Sequence, residues 1–137
     1  MTKTYTGGCA CGAIRYAIPS EPVFQNHCQC RQCQMKSGTG HASFLSFIGR
    51  DAVDLKGQAT IWPETGDAGT VKSHAFCPVC GTQVYLTLST VPDLFAVTAA
   101  SLDQPERFAP QVVTYGSRGY AWDYIDPALT VFERMPQ

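Results

Sequence analysis

The sequence predicts a small, mainly β protein, built as a sheet or sandwich, from two observations. Short apolar or alternating segments recur along the chain, and Gly or Pro residues separate them. No segment keeps the 3.6-residue apolar spacing of an amphipathic helix over several turns. The 137 residues suit one domain, and neither a repeat nor a linker divides them, so we expect a single domain over 1–137.

Six strands and one helical turn are predicted. The first strand, 12–18, alternates after a glycine and ends at Pro19. The second, Ala42–Ile48, is rich in large apolar residues and is expected to be largely buried. A short helical turn is expected at Arg31–Ser37, and Gly38 is expected to end it. The remaining strands are predicted at 70–76, 83–88, 94–99 and 111–115.

Composition excludes several classes of function. Hydrophobic residues make up 45% of the chain and charged residues 15%, which is typical of a folded protein rather than a disordered one. The net charge of −1 offers no basic surplus for phosphate, so no nucleic-acid partner is expected. No apolar run approaches the ~20 residues that span a bilayer, so no membrane partner is expected. The polar segment 1–5 lacks a signal-peptide pattern, and we expect a cytoplasmic protein.

The cysteines are the most informative residues. An odd number in a reducing compartment argues against a disulfide framework. Inert buried cysteines would be scattered, whereas all seven lie in tight clusters, which allows neighbouring thiolates to bind one ion at ~2.3 Å. The sequence therefore predicts metal binding by three clusters: Cys9 with Cys11; Cys28, Cys30 and Cys33; and Cys77 with Cys80.

The last and first clusters together predict a structural zinc site. Cys77-Pro78-Val79-Cys80 followed by Gly81 has the form of a zinc knuckle, in which two thiolates hold one ion across a tight turn. A thioredoxin-like redox pair would precede a helix, whereas a strand-like segment follows here. Cys9 and Cys11 can supply the other two ligands, since residues i and i+2 of a strand share a face.

The middle cluster predicts a second site with three protein ligands. Three thiolates and a vacant fourth position are the arrangement of a catalytic zinc. The alternative is a fourth, histidine ligand, which would make the site structural. The candidates for that ligand are His27, His41 and His74. Candidate substrate or supporting contacts near this cluster are Gln29, Gln32, Ser37 and His41.

Five segments in order resemble the glutathione-dependent formaldehyde-activating enzyme family, which also contains centromere protein V-like proteins. The opening segment 7–16, GGCACGAIRY, is similar to the family's G-G-C-x-C-G-x-[IV]-R-Y. The segment 27–38 resembles its C-x-C-x-x-C…S-G, and 76–82 resembles its F-C-x-x-C-G-T. The segments 100–103, ASLD, and 117–122, with Ser117 and Trp122, resemble its closing motifs. The resemblance covers nearly the whole chain and all seven cysteines.

The resemblance implies a β-tent fold of antiparallel sheets with zinc knuckles and short helical turns. It also implies two zinc ions and a carbon–sulfur lyase activity that makes or breaks S-hydroxymethylglutathione. The partners would then be a small thiol, such as glutathione, and a small aldehyde. The structural zinc ligands would be Cys9, Cys11, Cys77 and Cys80, and the catalytic ones Cys28, Cys30 and Cys33.

Two other functions compete with the zinc lyase. A non-catalytic, zinc-stabilised module for protein interaction would need a fourth protein ligand at the second site. A thiol redox or repair enzyme of the methionine sulfoxide reductase B type would need a reactive cysteine outside the metal sites. Every cysteine here is already assigned to a predicted metal site, so the thiol redox or repair enzyme ranks last. Periodicity does not indicate the oligomeric state.

Overall fold

The computed structural model describes residues 4–66 and 68–136, and strands dominate this part of the chain. A short helix follows the third strand, and brief 3-10 turns join several others. In chain order the elements are β1 (Tyr5–Gly8), β2 (Arg15–Ile18), β3 (Phe24–Cys28), α1 (Arg31–Ser37), β4 (Ala42–Ile48), β5 (Asp54–Lys56), β6 (Thr60–Thr65), β7 (Val71–Phe76), β8 (Gln83–Leu88), β9 (Val91–Thr98), β10 (Val112–Thr114) and β11 (Thr130–Val131).

The strands form two sheets. The large sheet has the order β11-β10-β3-β4-β9-β8-β7-β6, and the small sheet has the order β1-β2-β5. Pairing is antiparallel except at one end of the large sheet, where β10 runs parallel to both β3 and β11. Because strands dominate both sheets, the mainly β class is confirmed. The large sheet is mixed rather than purely antiparallel.

The hydrophobic core lies between the small sheet and one face of the large sheet. Tyr5 of β1 packs edge-on against Phe47 of β4 with ring centroids 5.3 Å apart, and Tyr16 of β2 packs in the same way against Phe95 of β9. Alternation along β4 explains the layering, because Leu45 and Phe47 are buried while their neighbours lie on the opposite face. That opposite face of the large sheet carries the candidate site described below.

Gly7 in β1 is required by a close approach. A Cβ atom there would lie 2.3 Å from the hydroxyl oxygen of Tyr16 and 2.3 Å from the carbonyl oxygen of Ser101. The Tyr16 hydroxyl is buried and lies 2.7 Å from Ser101 Oγ. Burial raises the pKa of Tyr16, so the hydroxyl stays protonated and hydrogen-bonded. The contact joins the small sheet to the turn that follows β9.

The predicted elements match the structure to different degrees. The strands at Ala42–Ile48 and Gln83–Leu88 and the helical turn at Arg31–Ser37 are confirmed with their bounds. The strand predicted at 12–18 begins only at Arg15, because Gly12 takes a left-handed conformation in a turn. The strands predicted at 70–76, 94–99 and 111–115 are found as β7, β9 and β10 with shifted ends. Five strands were not predicted: β1, β3, β5, β6 and β11.

No helix within residues 4–66 and 68–136 is long and apolar enough to cross a membrane.

Candidate metal centres

The first cysteine group lies where the β1–β2 hairpin meets the turn between β7 and β8. The sulfur of Cys11 lies 3.6 Å from that of Cys9 and 3.7 Å from that of Cys77. All four sulfurs, including that of Cys80, lie within 4.8 Å of one another. Four ligands at ~2.3 Å around a tetrahedral ion would be about 3.8 Å apart. The spacing and the all-thiol donor set therefore fit one zinc ion.

Backbone amides hold these sulfurs in place. Ile14 N donates to Cys9 Sγ at 3.2 Å, and Val79 N donates to Cys77 Sγ at 3.4 Å. Gly12 and Gly81 both have left-handed φ values, 82° and 78°, which turn the chain back toward the cysteines. Such N–H···S bonds favour the thiolate form that binds metal.

Thr82 contacts both chain segments that carry this cysteine group. Its Oγ1 accepts from Ala10 N at 3.0 Å and lies 3.2 Å from Cys80 Sγ. Hydrogen bonds with Thr82 lower the pKa of Cys80 to about 5. One thiolate is therefore available at neutral pH before any ion is bound.

The second cysteine group lies on the face of the large sheet that is turned away from the core. Cys28 ends β3, Cys30 caps the N-terminus of α1, and Cys33 lies in the first turn of that helix. All three are buried, and their sulfurs lie within 4.8 Å of one another. Cys33 N donates to Cys30 Sγ at 3.4 Å. The strand-to-helix turn thus brings the three sulfurs together.

Hydrogen bonds among the three thiols affect the pKa of each in different directions. Hydrogen bonds with Cys28 and Cys33 lower the pKa of Cys30 well below its ordinary value, whereas hydrogen bonds with Cys28 and Cys30 raise the pKa of Cys33. The negative charge of Cys30 affects the pKa of Lys72 on β7. Burial alone would lower the pKa of Lys72, but the negative charges of Cys30 and Glu64 outweigh burial and raise it. The ammonium group therefore stays charged beside the three thiols.

The three histidines have partners other than the second cysteine group. His27 Nδ1 lies 2.7 Å from Ser43 Oγ, and His41 Nδ1 lies 2.9 Å from both carboxylate oxygens of Asp123. His74 is buried, and its Nε2 lies 2.9 Å from Glu64 Oε1.

Within residues 4–66 and 68–136, no histidine or carboxylate lies within 4.8 Å of all three sulfurs. The donor set in this part of the chain is therefore three thiols.

Two cavities share Cys33 as a bordering residue. One, here called the polar cavity after the lysine, histidine and hydroxyl groups at its border, has a volume of about 430 Å³, and most of its lining surface is apolar. The other, here called the apolar cavity, has a volume of about 480 Å³ and is also bordered by Cys28 and Cys30. Both are bordered by Cys33, Phe44 and His74. These volumes are in the range of small-molecule sites, and both cavities border the second cysteine group.

The other candidate contacts have different surroundings. Ser37 and His41 border the polar cavity. Gln29 is buried instead: its Nε2 donates to Asp123 Oδ2 at 3.1 Å, which ties the start of α1 to the C-terminal segment. Gln32 borders neither cavity.

Sequence reasoning missed two residues beside this site. Lys72 and Glu64 lie on neighbouring strands and are paired in register, and both border the apolar cavity. Lys72 and His74 are two apart on β7, so a shared face could have been predicted, but its position beside the cysteines could not.

The fold and these two groups define a mainly β protein with two all-cysteine candidate metal centres, one of which borders ligand-sized cavities. The family model described as glutathione-dependent formaldehyde-activating enzyme matches residues 4–118, and the chain belongs to this family. The structure is also similar to the crystal structure of a Rhodobacter sphaeroides protein. That match has a TM-score of 0.53 and 20% sequence identity, covering 72% of this chain and 87% of the other, and it supports the fold alone.

Proposed function

We propose that the protein is a zinc-dependent carbon–sulfur lyase that makes or breaks the adduct of a thiol with an aldehyde, such as S-hydroxymethylglutathione. One observation carries the proposal: three buried cysteine sulfurs within 4.8 Å of one another border two ligand-sized cavities. Family membership supports glutathione and formaldehyde as the substrate classes.

The two cysteine groups take different roles in this proposal. Cys9, Cys11, Cys77 and Cys80 would hold a structural zinc, since four thiols complete its usual ligand set. Cys28, Cys30 and Cys33 would hold the catalytic zinc and supply three of its four ligands. The bound metal supplies Lewis acidity and keeps a substrate thiol deprotonated near neutral pH.

His74 is the residue we assign to proton transfer. It borders both cavities, and its bond to Glu64 fixes the imidazole. Burial lowers the pKa of His74 although Glu64 opposes the shift, so the ring is neutral at pH 7. With Nε2–H donating to the carboxylate, Nδ1 carries the lone pair and can take the thiol proton.

The reaction balances without an oxidant or reductant. In the forming direction the thiol sulfur attacks the carbonyl carbon, and a C–S bond forms. The carbonyl π electrons move to oxygen, which gains one proton, while the thiol loses one. The reverse reaction regenerates the thiol and aldehyde. The chain's own residues bind and orient the two reactants and move the proton.

The alternative, a non-catalytic interaction module, needs a fourth protein ligand at the second site. The part of the chain that the structure describes supplies none within reach of all three sulfurs. A cytoplasmic location stays a prediction, and seven unpaired thiols suit a reducing compartment.

Exchange spectroscopy tests the activity. Glutathione and ¹³C-formaldehyde reach equilibrium with their adduct spontaneously, and the zinc-loaded protein is expected to accelerate the exchange measured by NMR. Cys30→Ser should abolish the acceleration, whereas the matched variant Ser89→Ala, on an exposed turn, should keep it. Equal exchange rates with the parent protein, with Cys30→Ser and with buffer alone would refute the proposal.

A further inference from the structure

The two cavities that share Cys33 differ in the aliphatic side chains at their borders. The polar cavity is bordered by a lysine, a histidine, an amide and several hydroxyls: Lys36, Ser37, Thr39, His41, Ser43 and Gln83. The apolar cavity is bordered by large hydrocarbon side chains: Phe24, Leu86, Leu88, Leu94 and Met135. Most of the lining surface of both cavities is apolar, and the difference between them is that the large aliphatic side chains border only the apolar cavity.

The apolar wall is a consequence of strand alternation. Leu86 pairs with Ala96 on β9, and Leu88 pairs with Lys72 on β7. These residues share the sheet face that is turned away from the core, and Leu86, Leu88 and Leu94 are only partly buried. An apolar surface left in contact with water beside a site indicates an apolar group in the ligand.

Two charged residues also border the apolar cavity. Glu64 is engaged by His74, with Oε1 2.9 Å from Nε2. The ammonium of Lys72 lies 5.9 Å from the centre of the Tyr115 ring.

Formaldehyde is too small to explain this cavity. It has two heavy atoms and no substituent, whereas the apolar cavity has a volume of about 480 Å³. The polar cavity, with Lys36 and its hydroxyls, suits the carboxylates and amides of a hydrophilic thiol. The two halves of a thiol–aldehyde adduct meet at its C–S bond, and both cavities border Cys33.

We propose that the apolar cavity binds the hydrocarbon substituent of an aldehyde longer than formaldehyde, while the polar cavity binds the thiol partner. The proposal rests on the lyase function and names its substrate class: adducts of a hydrophilic thiol with an apolar aldehyde. The step is the one already balanced, RSH + R′CHO giving RS–CH(OH)R′, with R′ in the apolar cavity.

Binding of stable adduct mimics tests this without turnover. S-hexylglutathione and S-methylglutathione share the peptide but differ by five methylenes, and calorimetry would measure both on the zinc-loaded protein. Full burial contributes up to about fourfold in affinity per methylene. We expect S-hexylglutathione to bind at least tenfold more tightly than S-methylglutathione. Equal affinities would overturn the proposal.

A pair of variants locates the effect. Leu88→Gln places an amide in the apolar cavity and should reduce the hexyl-to-methyl affinity ratio by at least fivefold. Ile61→Gln is the control, because Ile61 is also an aliphatic strand residue but is exposed and borders neither cavity. It should leave the ratio unchanged. A ratio unaffected by Leu88→Gln would contradict the assignment of this cavity.

Turnover separates this proposal from the lyase function. In the exchange assay with glutathione, kcat/KM is expected to be at least tenfold higher for hexanal than for formaldehyde. Catalysis of formaldehyde exchange without a preference for hexanal or S-hexylglutathione would refute the apolar-aldehyde proposal alone. Tight S-hexylglutathione binding without catalysis of any aldehyde would refute the lyase function and leave the cavity assignment standing.

A second copy of the chain is the competing occupant of this face. Sedimentation of the parent protein and of Leu88→Gln would detect it. A dimer that Leu88→Gln dissociates, together with equal affinities for the two glutathione thioethers, would overturn the proposal. A parent protein whose sedimentation is the same as that of the variant, with the hexyl preference present, would support it.

Discussion

The sulfur atoms of Cys11 and Cys77 lie 3.7 Å apart although 66 positions separate the two residues in the chain. This distance is close to the ~3.8 Å between neighbouring sulfurs of a tetrahedral zinc–thiolate site. An ion at this point would join the β1–β2 hairpin of the small sheet to the β7–β8 turn of the large sheet. The two sheets would then be held at one end by metal and along their length by the core.

The first prediction follows from that cross-link. Cys77→Ser removes a fully buried ligand of the structural site and should lower the free energy of unfolding by at least about 3 kcal/mol, or roughly 10 °C in Tm. Cys33→Ser is the matched control, since it removes one buried ligand of the other site and should lower Tm much less. Calorimetric melting of both variants gives the comparison. Equal losses would contradict the division into a structural and a functional site.

The second prediction concerns Arg15 and Asp103, which lie in two separate family-like segments and form a bidentate ion pair. Hydrogen bonds from Arg15 lower the pKa of Asp103 from 3.8 to about 2. A depressed carboxylate pKa adds stability above pH 3.8, and this stability is lost as the pH falls toward 2. Both side chains are more than 40% exposed, so the pair contributes less than about 1 kcal/mol.

Asp103→Asn should therefore lower Tm slightly at pH 7 and lower it less at pH 2, where about half of the carboxylates are protonated. Asp54→Asn, on the exposed strand β5, is the control and should leave Tm unchanged at both values. Thermal melts across this pH range make the measurement. A cost of Asp103→Asn that persists unchanged at pH 2 would show that charge is not the source of the stability.

The third prediction concerns His74 and Glu64. His74→Asn removes the group assigned to proton transfer and should lower kcat by about 10²-fold, with little change in KM. Glu64→Gln keeps a hydrogen-bond partner and should cost only about fivefold. Zinc content should stay unchanged in both variants, which separates proton transfer from metal loss. A purely structural role for His74 would instead lower Tm and zinc content together with kcat.

The fourth prediction concerns Lys72, whose ammonium stabilises negative charge on the second cysteine group. Lys72→Met should weaken zinc retention there by about fivefold, the effect of roughly 1 kcal/mol of Coulomb interaction. Competition with a chelator measures the retention. Lys56→Met, at an exposed position on β5, is the control. Retention that is the same in both variants and in the parent would exclude an electrostatic role for Lys72.

The sequence predicted the elements whose patterns are local. Ala42–Ile48 and Gln83–Leu88 carry apolar strand patterns, and the helical turn at Arg31–Ser37 ends at Gly38, which takes the left-handed φ of 78°. β1 was missed because Gly7 and Gly8 are poor strand formers, and Gly7 is there for the approach of Tyr16.

β3 and β6 were missed for other reasons. β3 carries Asn26 and His27 in its interior, and its polar side chains are satisfied by distant residues such as Thr114. β6 is an exposed edge strand that contains Pro63, and such strands have no apolar pattern to detect.

Within the candidate site, the sequence grouped the cysteines because the groups depend on spacing within short segments. It missed Lys72 and Glu64 because their position beside Cys30 depends on the order of strands in the large sheet, which is a long-range property. The sequence suggested His74 only as a candidate fourth ligand of the second cysteine group. Its position at the border of both cavities follows from the same strand order.

The count of zinc ions per chain tests the central claim most directly. It would be measured in the parent protein and in Cys30→Ser, each purified with and without glutathione. We predict about two ions in the parent protein, about one in the folded variant, and better retention of the second ion when glutathione is present. A single tightly held ion, or two ions that glutathione does not affect and whose loss unfolds the chain, would contradict separate structural and catalytic sites.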